Sequence, residues 1–207
     1  MYLTLLVAGA VITCLYLYTS GTYSPRESLA HGGFQFVSIM TTTGFSTTEF
    51  ASWPTFLPFF FIIMSFFGAC AGSTGGGIKI GRMLILFQQG VREIYQLIHP
   101  NALLPIKINH RKIPDRVVDA IWAFISAYLA IFYLMVLLLM ASGSDYVTAW
   151  SATAASLNNL GPGLGAVANN YSQLGNFPKW VLCCGMLLGR LEIFTLLVLF
   201  TPTFWRR

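Results

Sequence analysis

The longest apolar run of the chain, residues 118–140, most limits the folds open to it. A helix needs about 20 consecutive apolar residues to cross the hydrocarbon core of a bilayer, and backbone polar groups must be satisfied internally there. Composition agrees, because 56% of the 207 residues are hydrophobic and only 9% are charged. So little polar surface does not suit a soluble globule. The sequence therefore predicts an all-α polytopic membrane protein.

Three other apolar segments are predicted to lie in the membrane. Leu3–Tyr18 is close to the lower length limit for a spanning helix. A cleaved signal peptide is the alternative for this run, but the basic start and small-residue cleavage site are missing. Phe56–Ala69 is predicted to be the outer half of a returning helix, and Pro178–Phe200 is predicted to return to the inside.

The positive charge of the chain is concentrated between residues 79 and 116 and at Arg206 and Arg207. Membrane proteins place such residues on the cytoplasmic side, so both termini are expected inside and nucleic acid is not an expected partner. The cysteines lie in apolar runs without metal-ligand spacing, which favours packing over chemistry. The basic residues of the connection are Lys79, Arg82, Arg92, Lys107, Arg111, Lys112 and Arg116.

A short capped helix precedes a polar loop in the first half of the chain. Ser24, Pro25 and Glu27 fit a capping box. A helix from there to Met40 is about 24 Å long, shorter than a hydrocarbon core of about 30 Å. It is predicted to enter the membrane without crossing it and to end at the first polar loop, Thr41–Ser46.

The first polar loop has the chemistry of a cation site. The C-terminal end of a helix carries partial negative charge, Gly44 allows close backbone approach, and carbonyl oxygens can replace the hydration shell of potassium. Irregular backbone at membrane depth is tolerated where it lines a watery cavity. The alternative is an ordinary turn or hydroxyl cap outside the membrane.

The same arrangement returns about 117 positions later. Residues 142–145 offer N-cap candidates, and Tyr146–Leu157 is a second helix too short to cross. It ends at the second polar loop, Asn158–Gly163. The repetition favours a pore over an isolated turn.

A glycine segment interrupts the apolar pattern between Phe56 and Phe87. Glycines do not propagate a helix well, so a mid-membrane loop is predicted. A phosphate-binding loop is excluded because Lys79 is one position late and no strand precedes the segment. The segment is interpreted as a flexible gate, with a passive helix break as the alternative. It comprises Gly72, Ser73, Thr74, Gly75, Gly76 and Gly77.

Arg190 and Glu192 lie in the last apolar segment, where a charge is costly unless it faces protein or water. Two positions apart on a helix, they do not face each other. Arg190 is predicted to donate to carbonyls of the glycine segment and to place a positive barrier there. A structural clamp between two helices is an equal alternative.

With span, half-helix, loop and returning helix found twice, the chain resembles the TrkH family of potassium uptake proteins, within the Trk/Ktr/HKT superfamily. The resemblance implies that Thr42, Thr43, Asn159 and Leu160 hold K⁺, that Gly44 and Gly161 are the filter glycines, and that the glycine segment with Arg190 is the gate. The matching residues are 41–46, 72–79, 158–165, Arg190 and Glu192.

The family has four such modules around one pore, whereas this chain has two. The resemblance implies that it is the C-terminal half, with modules at residues 1–100 and 101–207, in a bacterial inner membrane. Two loops cannot surround an ion, so the chain alone is expected not to transport. Expected partners are K⁺, lipid, the missing half or a second copy, and a cytoplasmic nucleotide-binding ring of the TrkA type.

Two other classes of function fit less well. A membrane enzyme needs convergent catalytic side chains, and His31, Glu49 and Asp145 are too scattered to form such a set. A scaffold has no need for repeated half-crossing helices that end in polar loops. No enzymatic activity and no bound cofactor are expected, and potassium is expected to be the substrate.

Overall fold

The computed structural model describes residues 2–54, 56–68, 73, 75–100, 102, 104–108, 111–191, 193, 198 and 202–205. Helices dominate this part of the chain, as the predicted all-α fold requires. The helices are α1 Tyr2–Thr19, α2 Pro25–Glu27, α3 Gly33–Met40, α4 Phe56–Phe66, α5 Ile80–Ile98, α6 Asp115–Ala141, α7 Tyr146–Leu157, α8 Asn176–Arg190 and α9 Pro202–Trp205. Two strands, β1 Lys107–Ile108 and β2 Arg111–Lys112, form a small antiparallel hairpin.

Two helices of the described chain, α1 and α6, are long and apolar enough to cross a membrane. Their outer faces carry large apolar side chains, such as Leu3 at 70% exposure and Leu137 at 63%. In water such faces would favour aggregation, whereas lipid solvates them. These helices match the spans predicted near residues 3–18 and 118–140.

The first half-helix runs from Pro25 to Met40 as α2, a π-helical segment at Ser28–Gly32 and α3. The predicted capping box is present, because the Ser24 hydroxyl and the Glu27 carboxylate each cap a backbone N–H. This half-helix packs against α1, where a Cβ on Gly9 would lie 2.0 Å from the Phe36 ring. Small residues at such contacts let membrane helices approach closely.

The second half-helix, α7, has the predicted bounds. Asp145 is its N-cap and accepts a hydrogen bond from the Thr148 N–H at 3.2 Å. The hydrogen bonds from Thr148 hold the pKa of Asp145 below its ordinary value. From Thr148 to Leu157 every residue except Trp150 is buried, since α7 lies between α6 and α8.

The predicted cytoplasmic connection contains more regular structure than expected. Ile80–Ile98 is one helix, α5, with Ile85 and Gln89 buried and Leu97 exposed. The prediction for this connection rested on its positive charge and not on the helical period of its apolar residues. Arg92 forms an ion pair with Asp115 at 2.8 Å, which joins α5 to the start of α6.

The predicted helix over residues 178–200 is not continuous. Helix α8 ends at Arg190, where the Leu191 N–H caps the Leu187 carbonyl at 3.0 Å. Gly185 and Gly189 lie in its last turns, and each weakens helix propagation by about 1 kcal/mol relative to alanine. Glu192 lies outside the described residues.

Candidate functional site

The first polar loop leaves α3 through a helix-ending turn with left-handed backbone. Thr42 has φ 54 and Gly44 has φ 81. The Thr43 N–H donates to the Ser38 carbonyl at 2.8 Å, and the Thr42 N–H donates to the Ile39 carbonyl at 3.0 Å. These two bonds define a Schellman motif, in which glycine usually takes the left-handed position. A β-branched threonine there is strained, and such strain persists mainly at functional sites.

The second polar loop repeats this backbone position by position. Asn159 has φ 53 and Gly161 has φ 99. The Leu160 N–H donates to the Ala155 carbonyl at 2.8 Å, and the Asn159 N–H donates to the Ser156 carbonyl at 3.1 Å. Of the left-handed pair, only the glycine is shared in sequence, so the structure preserves the conformation of the loop rather than its side chains.

The two polar loops touch each other through one glycine. A Cβ on Gly44 would lie 2.2 Å from the Leu160 carbonyl oxygen and 3.6 Å from Pro162. A Cβ on Gly161 would meet no described atom within 4 Å. The equivalent glycines therefore differ: Gly44 is closed in by the neighbouring loop, and Gly161 faces open space.

A glycine at or just beyond the end of a returning helix lies against the start of each loop. A Cβ on Gly68, two residues after the end of α4, would lie 2.9 Å from the Thr42 methyl group. A Cβ on Gly189, in the last turn of α8, would lie 2.9 Å from the Asn159 amide nitrogen and 2.0 Å from the Leu157 carbonyl oxygen. In each half of the chain, glycine thus allows the returning segment to approach the start of the loop closely.

A cavity of about 540 Å³ opens beside the two loops. Both loop glycines and Glu49 line it. The Tyr171 hydroxyl donates to the Gly161 carbonyl oxygen at 2.7 Å. Burial raises the pKa of Tyr171 to about 12, so this hydroxyl remains a donor at neutral pH.

A second cavity, of about 210 Å³, brings together four residues of the predicted gate. Ser73, Gly75 and Gly77 line it together with Arg190. The predicted proximity of Arg190 to the glycine segment is therefore present. Gly76 packs instead against the second polar loop, since a Cβ there would lie 2.1 Å from the Asn158 carbonyl oxygen. The other two predicted gate residues, Gly72 and Thr74, lie outside the described residues.

Asn158 lies in the predicted second polar loop, whereas Tyr128, Ser65 and the hydrogen bonds that join the three side chains were missed by sequence analysis. Tyr128, Asn158 and Ser65 form a buried hydrogen-bond network between α6, the second polar loop and α4. A tyrosine inside the apolar run at 118–140 and an asparagine at the end of a buried helix were the available signals. Both are polar groups that need partners at membrane depth.

Comparison with known proteins decides the family. The model of the TrkH family, described as a cation transport protein, matches residues 10–207. The chain belongs to the TrkH family. This confirms the resemblance that the two loops and the glycine segment indicated.

Several TrkH relatives are similar over nearly the whole chain. A Trk system potassium uptake protein TrkH from Halomonas elongata is 48% identical over 207 residues, which are 100% of this chain and 43% of that protein. The TrkH protein of Escherichia coli K12 is 49% identical over 95% of this chain and 41% of its own length. The crystal structure of the potassium transporter TrkH from Vibrio parahaemolyticus matches with a TM-score of 0.92 and 50% identity, over 99% of this chain and 44% of that one.

The chain spans less than half the length of these TrkH relatives. The close structural match nevertheless covers both polar loops and the helices that hold them. The fold of this TrkH segment is therefore that of the corresponding part of a solved transporter.

Proposed function

We propose that this chain supplies two adjacent walls of a potassium-selective pore that carries K⁺ inward across a bacterial inner membrane. The observation that carries the proposal is the pair of polar loops: they share one backbone conformation and touch where Gly44 meets the Leu160 carbonyl. The names of the TrkH relatives, potassium uptake proteins, support the choice of ion.

The ion is bound by backbone carbonyls in this proposal. Thr42, Thr43, Asn159 and Leu160 contribute the oxygens that replace water around K⁺. Gly44 and Gly161 let the backbone come close to the ion path because they carry no Cβ. Both half-helices direct their C-terminal ends, which carry partial negative charge, at the loops.

The ring around the ion is incomplete in this chain. Gly44 is covered by the next loop, whereas the equivalent Gly161 faces open space among the described residues. By the repeat, Gly161 is the side on which a further loop docks, from the remainder of a longer chain or from a second copy. Residues 1–100 and 101–207 then act as two modules of four, and the chain alone does not conduct.

The glycine segment is the proposed gate, and Arg190 is the proposed barrier beside it. Ser73, Gly75 and Gly77 of the segment line one cavity with Arg190, and a positive charge there opposes the passage of a cation. A TrkA-type cytoplasmic ring opens the gate in this proposal. The chain performs no catalysis and uses no cofactor, with K⁺ as its cargo.

Potassium uptake into vesicles tests the pore. The complete protein, in which this chain is joined to its remaining modules, is expected to take up K⁺ in preference to Na⁺. The chain alone, reconstituted as a proven monomer, is expected to show no uptake above empty vesicles. Growth of a potassium-uptake-deficient bacterium on low K⁺, with the monomeric chain as its only Trk subunit, would refute the incomplete ring.

Replacement of Arg190 by alanine tests the gate in the complete protein. Loss of the positive charge is expected to raise K⁺ flux in the absence of the cytoplasmic ring by about tenfold, equivalent to ~1.4 kcal/mol. Arg116→Ala removes the same charge from an exposed position outside the cavity and is expected to leave flux unchanged. Arg190→Gln keeps a hydrogen-bond donor but removes the charge, so a folded Arg190→Gln variant with wild-type flux would make the residue a structural clamp rather than a barrier.

A further inference from the structure

The side-chain amide of Asn158, near the proposed filter, has a hydrogen-bond partner at both its oxygen and its nitrogen. It is fully buried. Its Oδ1 accepts a hydrogen bond from the Tyr128 hydroxyl at 2.7 Å, and its Nδ2 donates to the Ser65 Oγ at 2.7 Å. The Ser65 hydroxyl uses its own proton on the Ile62 carbonyl at 2.6 Å. Because that proton is committed, Ser65 accepts from the amide nitrogen, which leaves Oδ1 toward Tyr128.

Two residues of the glycine segment, Gly76 and Gly77, lie directly on this network. A Cβ on Gly76 would lie 2.1 Å from the Asn158 carbonyl oxygen. A Cβ on Gly77 would lie 3.3 Å from the Asn158 Oδ1 and 3.1 Å from the Ser65 carbonyl oxygen. The Ile78 N–H then donates to the Phe66 carbonyl at 3.1 Å. The backbone at Gly76 and Gly77 is therefore held between the end of α4 and the residue that opens the second polar loop.

Asn158 also belongs to the proposed filter by position. It is the C-cap of α7 and directly precedes Asn159. The equivalent residue of the first polar loop, Thr41, bonds within its own turn, with the Val37 carbonyl at 2.7 Å and the Thr43 hydroxyl at 2.7 Å. In the second polar loop, by contrast, the Asn158 side chain bonds residues of α6 and α4.

We propose that the Tyr128–Asn158–Ser65 network is a latch that holds the glycine segment closed against the second polar loop. The inference rests on the proposed function of the filter and the gate. Asn158 fixes the surface on which Gly76 and Gly77 lie, and Tyr128 and Ser65 are positioning residues that keep its amide in place. Opening of the gate requires the segment to leave this surface. Loss of a hydrogen bond to the Asn158 side-chain amide is therefore expected to favour the open state.

The test uses the complete protein in vesicles without its cytoplasmic ring. Tyr128→Phe removes the donor to Asn158 Oδ1, and Ser65→Ala removes the acceptor for Nδ2. Each is expected to raise basal K⁺ flux about tenfold, because a buried polar group without a partner destabilises the state that contains it. The double variant is expected to give less than the product of the two effects, since both act through one amide. Tyr133→Phe, at an exposed tyrosine on the same helix, is the matched control and is expected to leave flux unchanged.

The outcomes separate the latch from a structural role and from failure of the proposed function. Folded yield and the rise in unfolding temperature caused by K⁺ are measured for each variant. Normal folding with wild-type basal flux in both single variants overturns the latch, and so does failure of both to fold. If only one variant folds, a raised basal K⁺ flux in that variant supports the latch, and wild-type basal flux overturns it. Absence of K⁺-selective flux in the wild-type protein refutes the proposed function instead.

Discussion

The two polar loops share a backbone but differ in what surrounds them. In the first, strained Thr42 takes the left-handed position, and Gly44 is packed against the neighbouring loop. In the second, Asn159 takes that position, and Gly161 is free of described neighbours at its Cβ site. The conserved part of the repeat is thus the path of the carbonyls. The side chains and packing of the two loops differ because each loop meets different neighbours. Substitutions at matched positions can separate the effect of the shared backbone from the effect of these neighbours.

The largest difference is expected between the two glycines. Gly44→Ser introduces a Cβ 2.2 Å from a backbone oxygen at φ 81, whereas Gly161→Ser meets only the backbone strain of φ 99 in this chain. Gly44→Ser is therefore expected to lower the unfolding temperature of the isolated chain far more. Equal losses for the two variants would contradict the packed first loop.

The same substitution tests the filter in the complete protein. Gly44→Ser is expected to lower the K⁺/Na⁺ flux ratio at least about tenfold, or ~1.4 kcal/mol of discrimination. The flux ratio is measured by uptake of each ion under equal gradients. An unchanged ratio in folded protein would count against Gly44 at the ion path.

A smaller effect is expected from Tyr171, which supports only the second loop. Tyr171→Phe removes the hydrogen bond to the Gly161 carbonyl, which destabilises the ordered conformation of the loop by about 1 kcal/mol. The K⁺/Na⁺ flux ratio of the complete protein is expected to fall about fivefold. Tyr146→Phe, at an exposed tyrosine at the start of α7, is the control. If both variants keep the wild-type ratio, Tyr171 does not order the filter.

The smallest effect concerns the left-handed residues. Thr42→Gly relieves about 1 to 2 kcal/mol of left-handed strain and loses about 0.5 to 1 kcal/mol through glycine entropy. A net gain of about 0.5 kcal/mol in the free energy of unfolding is expected on that balance. Asn159→Gly is expected to gain nothing, because asparagine visits this conformation readily and its side chain bonds the Met186 carbonyl at 3.3 Å. Denaturation of the isolated chain measures the free energy of unfolding of both variants. A larger gain for Asn159→Gly than for Thr42→Gly would contradict the strain assigned to Thr42.

The sequence predicts the parts of this fold that depend on local signals. The capping box at Ser24, an N-cap within residues 142–145 and the ends of the half-helices at Met40 and Leu157 follow from short-range patterns, and the structure has them all, with Asp145 as the N-cap. The spacing of the two polar loops also follows from the chain itself. Local signals therefore suffice for the half-helices and for the loops that end them.

The parts that were missed depend on distant residues. Asn158 bonds Tyr128 and Ser65, which lie 30 and 93 positions away, and no local pattern pairs them. The contact of Gly44 with Leu160 is of the same kind. The end of α8 at Arg190 also depends on tertiary packing, because Gly189 lies against the Leu157 carbonyl. Hydropathy does not record such close approaches.

The most direct test of the filter is to locate a bound ion in the complete protein. Crystals grown with Rb⁺ in place of K⁺ give an anomalous scattering peak wherever the ion is ordered. A peak coordinated by the carbonyl oxygens of Thr42, Thr43, Asn159 and Leu160 is the predicted result. Well-ordered loops with no peak between them, or a peak coordinated only by other residues, would contradict the proposed potassium filter.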